Sequence, residues 1–111
     1  MRNGIYEAHF TTDQGILGTG AVLISNGTVF GADALQFFKG QIHQSGTDLT
    51  VTMTLTRHNL IDESVFGTDT VVNLEWHGEA TGDVSFKLRC KPKNSHVAAI
   101  YASGELLKAH D

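Results

Sequence analysis

The sequence predicts an all-β protein: an eight-stranded antiparallel up-and-down barrel. Three observations carry that expectation. Leu49-Thr50-Val51-Thr52-Met53-Thr54-Leu55-Thr56 alternates apolar and hydroxyl side chains without a slip. A period of two sends Leu49, Val51, Met53 and Leu55 to one face and the threonines to the other, as a half-buried strand requires. The rest of the chain repeats this design, with turn residues between the apolar stretches. No helical spacing runs for as much as about ten residues.

The elements follow in order. Strand one is expected over about 3–11, with Tyr6, Ala8 and Phe10 on one face, before the turn Thr12-Asp13-Gln14-Gly15. Strand two covers about 16–25. Gly18 and Gly20 share one face there, and such glycines mark a bend or a close approach of backbones. Asn26-Gly27 is the strongest hairpin signal, because both central residues of a type I′ turn need positive φ. Strand three is short, about 28–30, and Gly31-Ala32-Asp33 turns into strand four, about 35–44. After Ser45-Gly46-Thr47-Asp48 comes the threonine strand, reaching about His58.

Ile61 to Gly67 reads as a loop or a short helical turn. Strand six is expected over about 70–77, with Val72, Leu74 and Trp76 on one face, and Glu79 to Asp83 as the next turn. Strand seven places Val84, Phe86, Leu88 and Cys90 opposite Ser85, Lys87, Arg89 and Lys91. Pro92-Lys93-Asn94-Ser95 breaks it, since proline lacks the N–H a ladder needs. Strand eight runs from about His96 to Leu107.

The chain has 111 residues, enough for one domain with one core. Hydrophobic residues make up 41% and charged residues 18%, a balance that folds. The formal charge is −4, with 12 acidic and 8 basic residues. That argues against direct DNA binding, which needs clustered cations to neutralise phosphates. The densest basic run, Lys87, Arg89, Lys91 and Lys93, reads as a solvated strand face. A single cysteine, Cys90, excludes an internal disulfide. No signal-like segment and no apolar run of about 18 residues is present, so the expectation is a cytoplasmic protein with no membrane partner. The sequon at Asn26-Gly27-Thr28 then reads as a turn.

Eight strands is the count at which a barrel either fills its interior or holds one small ligand. The expected inward residues, and the candidate ligand-binding set, are Tyr6, Phe10, Phe30, Phe38, Met53, Trp76, Phe86 and Leu88. Trp76 is the only tryptophan, and its indole N–H needs an acceptor if buried.

Further signposts run through the chain. Asn3-Gly4-Ile5-Tyr6, Phe10 and Gly18-Thr19-Gly20 come first, then Ile24-Ser25-Asn26-Gly27, Gly31-Ala32-Asp33 and Phe38-Lys39-Gly40. This order and spacing resembles the GrlR-like family, negative regulators of type III secretion genes in enteric bacteria. Leu88-Arg89-Cys90 and Val97 to Ala102 look like that family's last two strands. The match is good over residues 3–55 and looser beyond. The resemblance implies a lipocalin-like barrel, a homodimer and repression through binding a transcriptional activator protein rather than DNA. It also implies an acidic run in the turn after strand four. Here only Asp48 keeps a carboxylate in that turn, so Asp48 is the candidate partner-binding residue.

Chemistry-bearing motifs are sparse. The six histidines, His9, His43, His58, His77, His96 and His110, lie at least fourteen positions apart, so no close metal-binding pair exists and no metal or cofactor is expected. There is no Gly-x-Ser-x-Gly elbow and no phosphate-binding glycine loop. Cys90 shares a face with apolar residues and reads as buried and inert. The chain is therefore not expected to be an enzyme. Two readings remain: a protein-interaction regulator, or a carrier or sensor of a small apolar ligand. Ala21 to Ile24 and Phe37-Phe38 are apolar on both faces, which adds to the expectation of a homodimer.

Overall fold

The computed structural model describes residues 1–32, 36–57, 71–92 and 98–109, except for the side chains at 16 and 17. The strands are β1 (Gly4–Thr12), β2 (Gly15–Ser25), β3 (Thr28–Ala32), β4 (Gln36–Ser45), β5 (Asp48–Arg57), β6 (Val71–Gly82), β7 (Ser85–Cys90) and β8 (Ile100–Ala109). Each pairs antiparallel with the next, and β8 pairs back onto β1, which closes the barrel. The expected fold class is the observed one.

Turn chemistry sets the register. Asn26 and Gly27 have φ of 50 and 81, the positive values of a type I′ turn, and they join Ser25 to Thr28 as direct partners. Gly46, at φ 62, takes the first central position of the Ser45–Asp48 turn, where a type II′ turn uses glycine. The threonine strand behaves as its alternation demands: Leu49, Val51 and Leu55 are buried, while Thr52 and Thr54 face solvent.

Side-chain alternation puts the core on the barrel axis. Tyr6, Leu49 and Val51 are the largest fully buried side chains, joined by Val22, Ile24, Phe38, Leu74, Trp76, Phe86 and Ile100. Aromatic rings stand opposite glycines across the ladders: Phe10 faces Gly18, Phe38 faces Gly31 and Phe86 faces Gly104. A Cβ at Gly31 or Gly104 would overlap the facing ring. The missing side chain makes the room the ring fills, a device for curving sheets.

Several boundaries differ from expectation. β6 continues through Glu79 to Gly82 with a bulge after Ala80, so the turn is Asp83-Val84 rather than Glu79 to Asp83. Val84 sits in that turn, 43% exposed, and not on the inward face of β7. β3 extends two residues further, to Ala32. β8 begins at Ile100, and the expected earlier start at His96 lies outside the described residues. So do His58, the 61–67 segment, Thr70, Asp33, Leu35, residues 93–95 and His110. Among the described residues, no helix is long and apolar enough to cross a membrane.

Candidate functional site

Seven of the eight expected inward residues belong to the interior. Phe10, Phe38, Met53, Trp76, Phe86 and Leu88 line one internal cavity, together with aliphatic side chains of β1 to β5 and Ala102 of β8. Tyr6 lies in the core below them, its ring 5.8 Å from that of Phe86. Its hydroxyl donates to the Arg2 carbonyl oxygen, and burial raises its pKa above the usual tyrosine value. Phe10 packs at one side of the cavity, 6.5 Å from Phe38 edge-on and 6.4 Å from Trp76.

Phe30 is the exception. It is 41% exposed and points out of the barrel, with the Lys39 ammonium 5.6 Å from its ring centre. Val29 takes the inward place on β3. The signal that decides this was the two-residue turn. It pairs Ser25 with Thr28, so inward Ile24 meets Val29 and outward Leu23 meets Phe30.

The cavity measures about 30 Å³, and the described residues that line it are apolar apart from Trp76. An engineered cavity that admits benzene is about 150 Å³, so the resting interior is close to a filled core. Trp76 is 3% exposed, and its Nε1–H has no acceptor among the described residues.

The outer surface carries a second arrangement. Ile5 stands opposite Leu23, and Leu23 opposite Phe30, giving three exposed apolar side chains in a row across β1, β2 and β3. Leu107, 62% exposed, lies in the bulge of β8 beside Ile5. A parallel row places Ala21 opposite Ala32 and Ala32 opposite the exposed Phe37. Single exposed apolar residues are ordinary; here Ile5, Leu23 and Phe30 adjoin on one outer face.

Asp48 is exposed at the start of β5. Its partner on β6 is Glu79, also exposed, so the register sets two carboxylates side by side where the sequence suggested one. The Ala80 amide donates to the Thr47 carbonyl oxygen at 2.7 Å and holds the turn against β6. Lys87 stands opposite Glu79 on the far side.

The remaining polar groups are dispersed. His9 contacts Glu7 at 2.7 Å and His77 contacts Glu75 at 3.3 Å, both pairs exposed and worth little to stability. Among the described residues, no three His, Cys, Asp or Glu side chains gather as a metal site would need. Cys90 is buried, and desolvation pushes its pKa up to about 11. Such a thiol is poorly nucleophilic at neutral pH. Compared with protein families and with curated proteins, the chain matches neither a family model nor a curated sequence.

Proposed function

We propose that this chain is a non-enzymatic regulatory protein of GrlR-like type that acts by binding other proteins. The outward apolar row Ile5, Leu23 and Phe30 carries the reading. Burying such a row against a partner releases water from apolar surface, the main driving force of association. The occupant proposed for it is a second copy of the chain, giving a homodimer. A twofold axis would lay the same row against itself. The second partner is a transcriptional activator protein, met at the Asp48–Glu79 edge, whose carboxylates suit a basic surface. In this reading the protein is bacterial and cytoplasmic, represses type III secretion genes through the activator, and makes no direct DNA contact.

The narrow interior favours this reading over a carrier of bulky cargo, because ligand pockets typically measure about 300–1,000 Å³. A reporter driven by a type III secretion activator tests it. Co-expression of the chain is expected to lower reporter output. Asp48→Lys with Glu79→Lys is expected to restore output without loss of fold. Unchanged output with the wild-type chain would defeat the proposal.

A further inference from the structure

β6 outruns the strand beside it. Its ladder with β7 begins at His77 opposite Arg89, and β7 ends at Cys90, so the stretch of β6 from Val71 to Trp76 has no ladder on that side. The same register would set Glu75 opposite Lys91, yet among the described residues no backbone hydrogen bond joins them. Two hydrogen bonds identify the backbone groups left over. The Ala80 amide donates to the Thr47 carbonyl oxygen, on the β5 side. Successive residues of a strand turn their backbone groups to opposite neighbours, so Leu74 and Val72 also face β5. The Ile42 amide donates to the Gly27 carbonyl oxygen, on the β3 side, and the same alternation carried across β4 and β5 turns Met53 toward Leu74. The N–H and C=O groups of Val71, Asn73 and Glu75 therefore point away from β5 and have no backbone partner among the described residues.

This edge borders an open groove of about 1080 Å³ on the barrel exterior. The groove's cations, Lys39, Arg89 and Lys91, outnumber its one carboxylate, Glu75, which already contacts His77 at 3.3 Å. The local excess is positive on a chain whose formal charge is −4. We infer that the β6 edge from Val71 to Glu75 takes an extended acidic segment of another protein as an added antiparallel strand. A strand backbone supplies N–H and C=O groups at the spacing this edge presents. On the added strand, residues opposite Val71, Asn73 and Glu75 share their outward face and carry the bonding amides. Carboxylates at those positions complement the cationic groove. The residues between them share the face of Val72 and Leu74 and are apolar. A second copy of this chain fits less well, because pairing edge to edge would bring two cationic grooves together. The edge lies apart from the Ile5, Leu23 and Phe30 row and from the Asp48–Glu79 pair, so this inference stands or falls independently of the function proposed above.

The test uses the whole wild-type chain and a capped peptide reading threonine, valine, glutamate, valine, glutamate. Antiparallel pairing sets its threonine opposite Glu75 and its glutamates opposite Asn73 and Val71. Amide hydrogen exchange, followed residue by residue in proton–nitrogen NMR spectra, is measured as the peptide is titrated to millimolar concentration. The Val71, Asn73 and Glu75 amides are expected to exchange fast in the free chain and to become protected saturably. Val72 and Leu74, already bonded to β5, are expected not to change. Replacing the glutamates by lysine should weaken binding roughly two- to fivefold, the span of exposed ion pairs. N-methylation of both glutamate amides should weaken it roughly five- to hundredfold, the loss of two net hydrogen bonds. N-methylation of the valines should leave it unchanged. Three results would each overturn the inference: amides at Val71, Asn73 and Glu75 that stay unprotected, amides already protected in the free chain, or protection that rises with protein concentration alone.

Discussion

Phe86 lies directly opposite Gly104 across the β7–β8 ladder, and its ring occupies the space a Cβ on that glycine would need. The pair fixes how closely the two strands approach inside the barrel. Ring and glycine thus act as one packing unit.

Gly104→Ala is expected to force the ring from its place and destabilise the fold by about 1–3 kcal/mol, the usual range for overpacking. Urea unfolding measures it. Adding Phe86→Leu should recover part of the loss, and a strictly additive double mutant would show that the two positions are uncoupled.

Leu23→Glu with Phe30→Glu is expected to convert a dimer into a monomer. Both positions point outward, but two glutamates directly opposite each other repel, so a cost to the fold of about 0.2–1 kcal/mol is expected. Sedimentation of wild type and variant, with far-ultraviolet circular dichroism as the folding control, makes the comparison. A wild-type monomer at tens of micromolar would end the dimer proposal.

Stability should fall at alkaline pH through Cys90. Its folded pKa is raised from the ordinary 9.0 to about 11, so the folded state holds the proton more tightly than the unfolded chain does. The contribution is complete below pH 9.0 and is lost as pH climbs toward about 11. At about 1.4 kcal/mol per pKa unit it amounts to roughly 2–3 kcal/mol at most. Cys90→Ala should flatten that part of the pH–stability curve. Tyr6, raised for the same reason, adds a decline above pH 10.0.

Tyr6→Phe removes the bond to the Arg2 carbonyl oxygen and keeps the buried ring. The expected loss is about 0.5–1.5 kcal/mol, because water reaches the carbonyl of exposed Arg2 once the hydroxyl is gone. A loss well beyond that would mean the hydroxyl also orders the segment before β1.

Local signals carried the fold. The unbroken alternation of 49–56 and the Asn26-Gly27 turn each specify geometry through one physical constraint, the pleat and the sign of φ. The direction of Phe30 was hidden by composition. Ala21 to Ile24 is apolar on both faces, so hydrophobicity alone does not say which face of β2, and hence of β3, turns inward. The β6 boundary was obscured by Glu79, Thr81 and Gly82, polar or small residues that resemble a turn but here continue a solvated strand past a bulge. The Asp48–Glu79 pair and the unpaired Trp76 N–H depend on strand neighbours far apart in sequence. No spacing along the chain encodes them.

The seam between β1 and β8, where Gly4 meets Ala109, has a kinetic consequence. Every other ladder joins strands that are consecutive in sequence, but this one waits for nearly the whole described chain to be in hand. Loop-closure entropy makes it the most demanding contact to form. Until it forms, β1 and β8 each present a bare hydrogen-bonding edge. The dangerous interval for this protein is therefore the moment before closure, when a neighbouring unfinished chain could supply the missing strand.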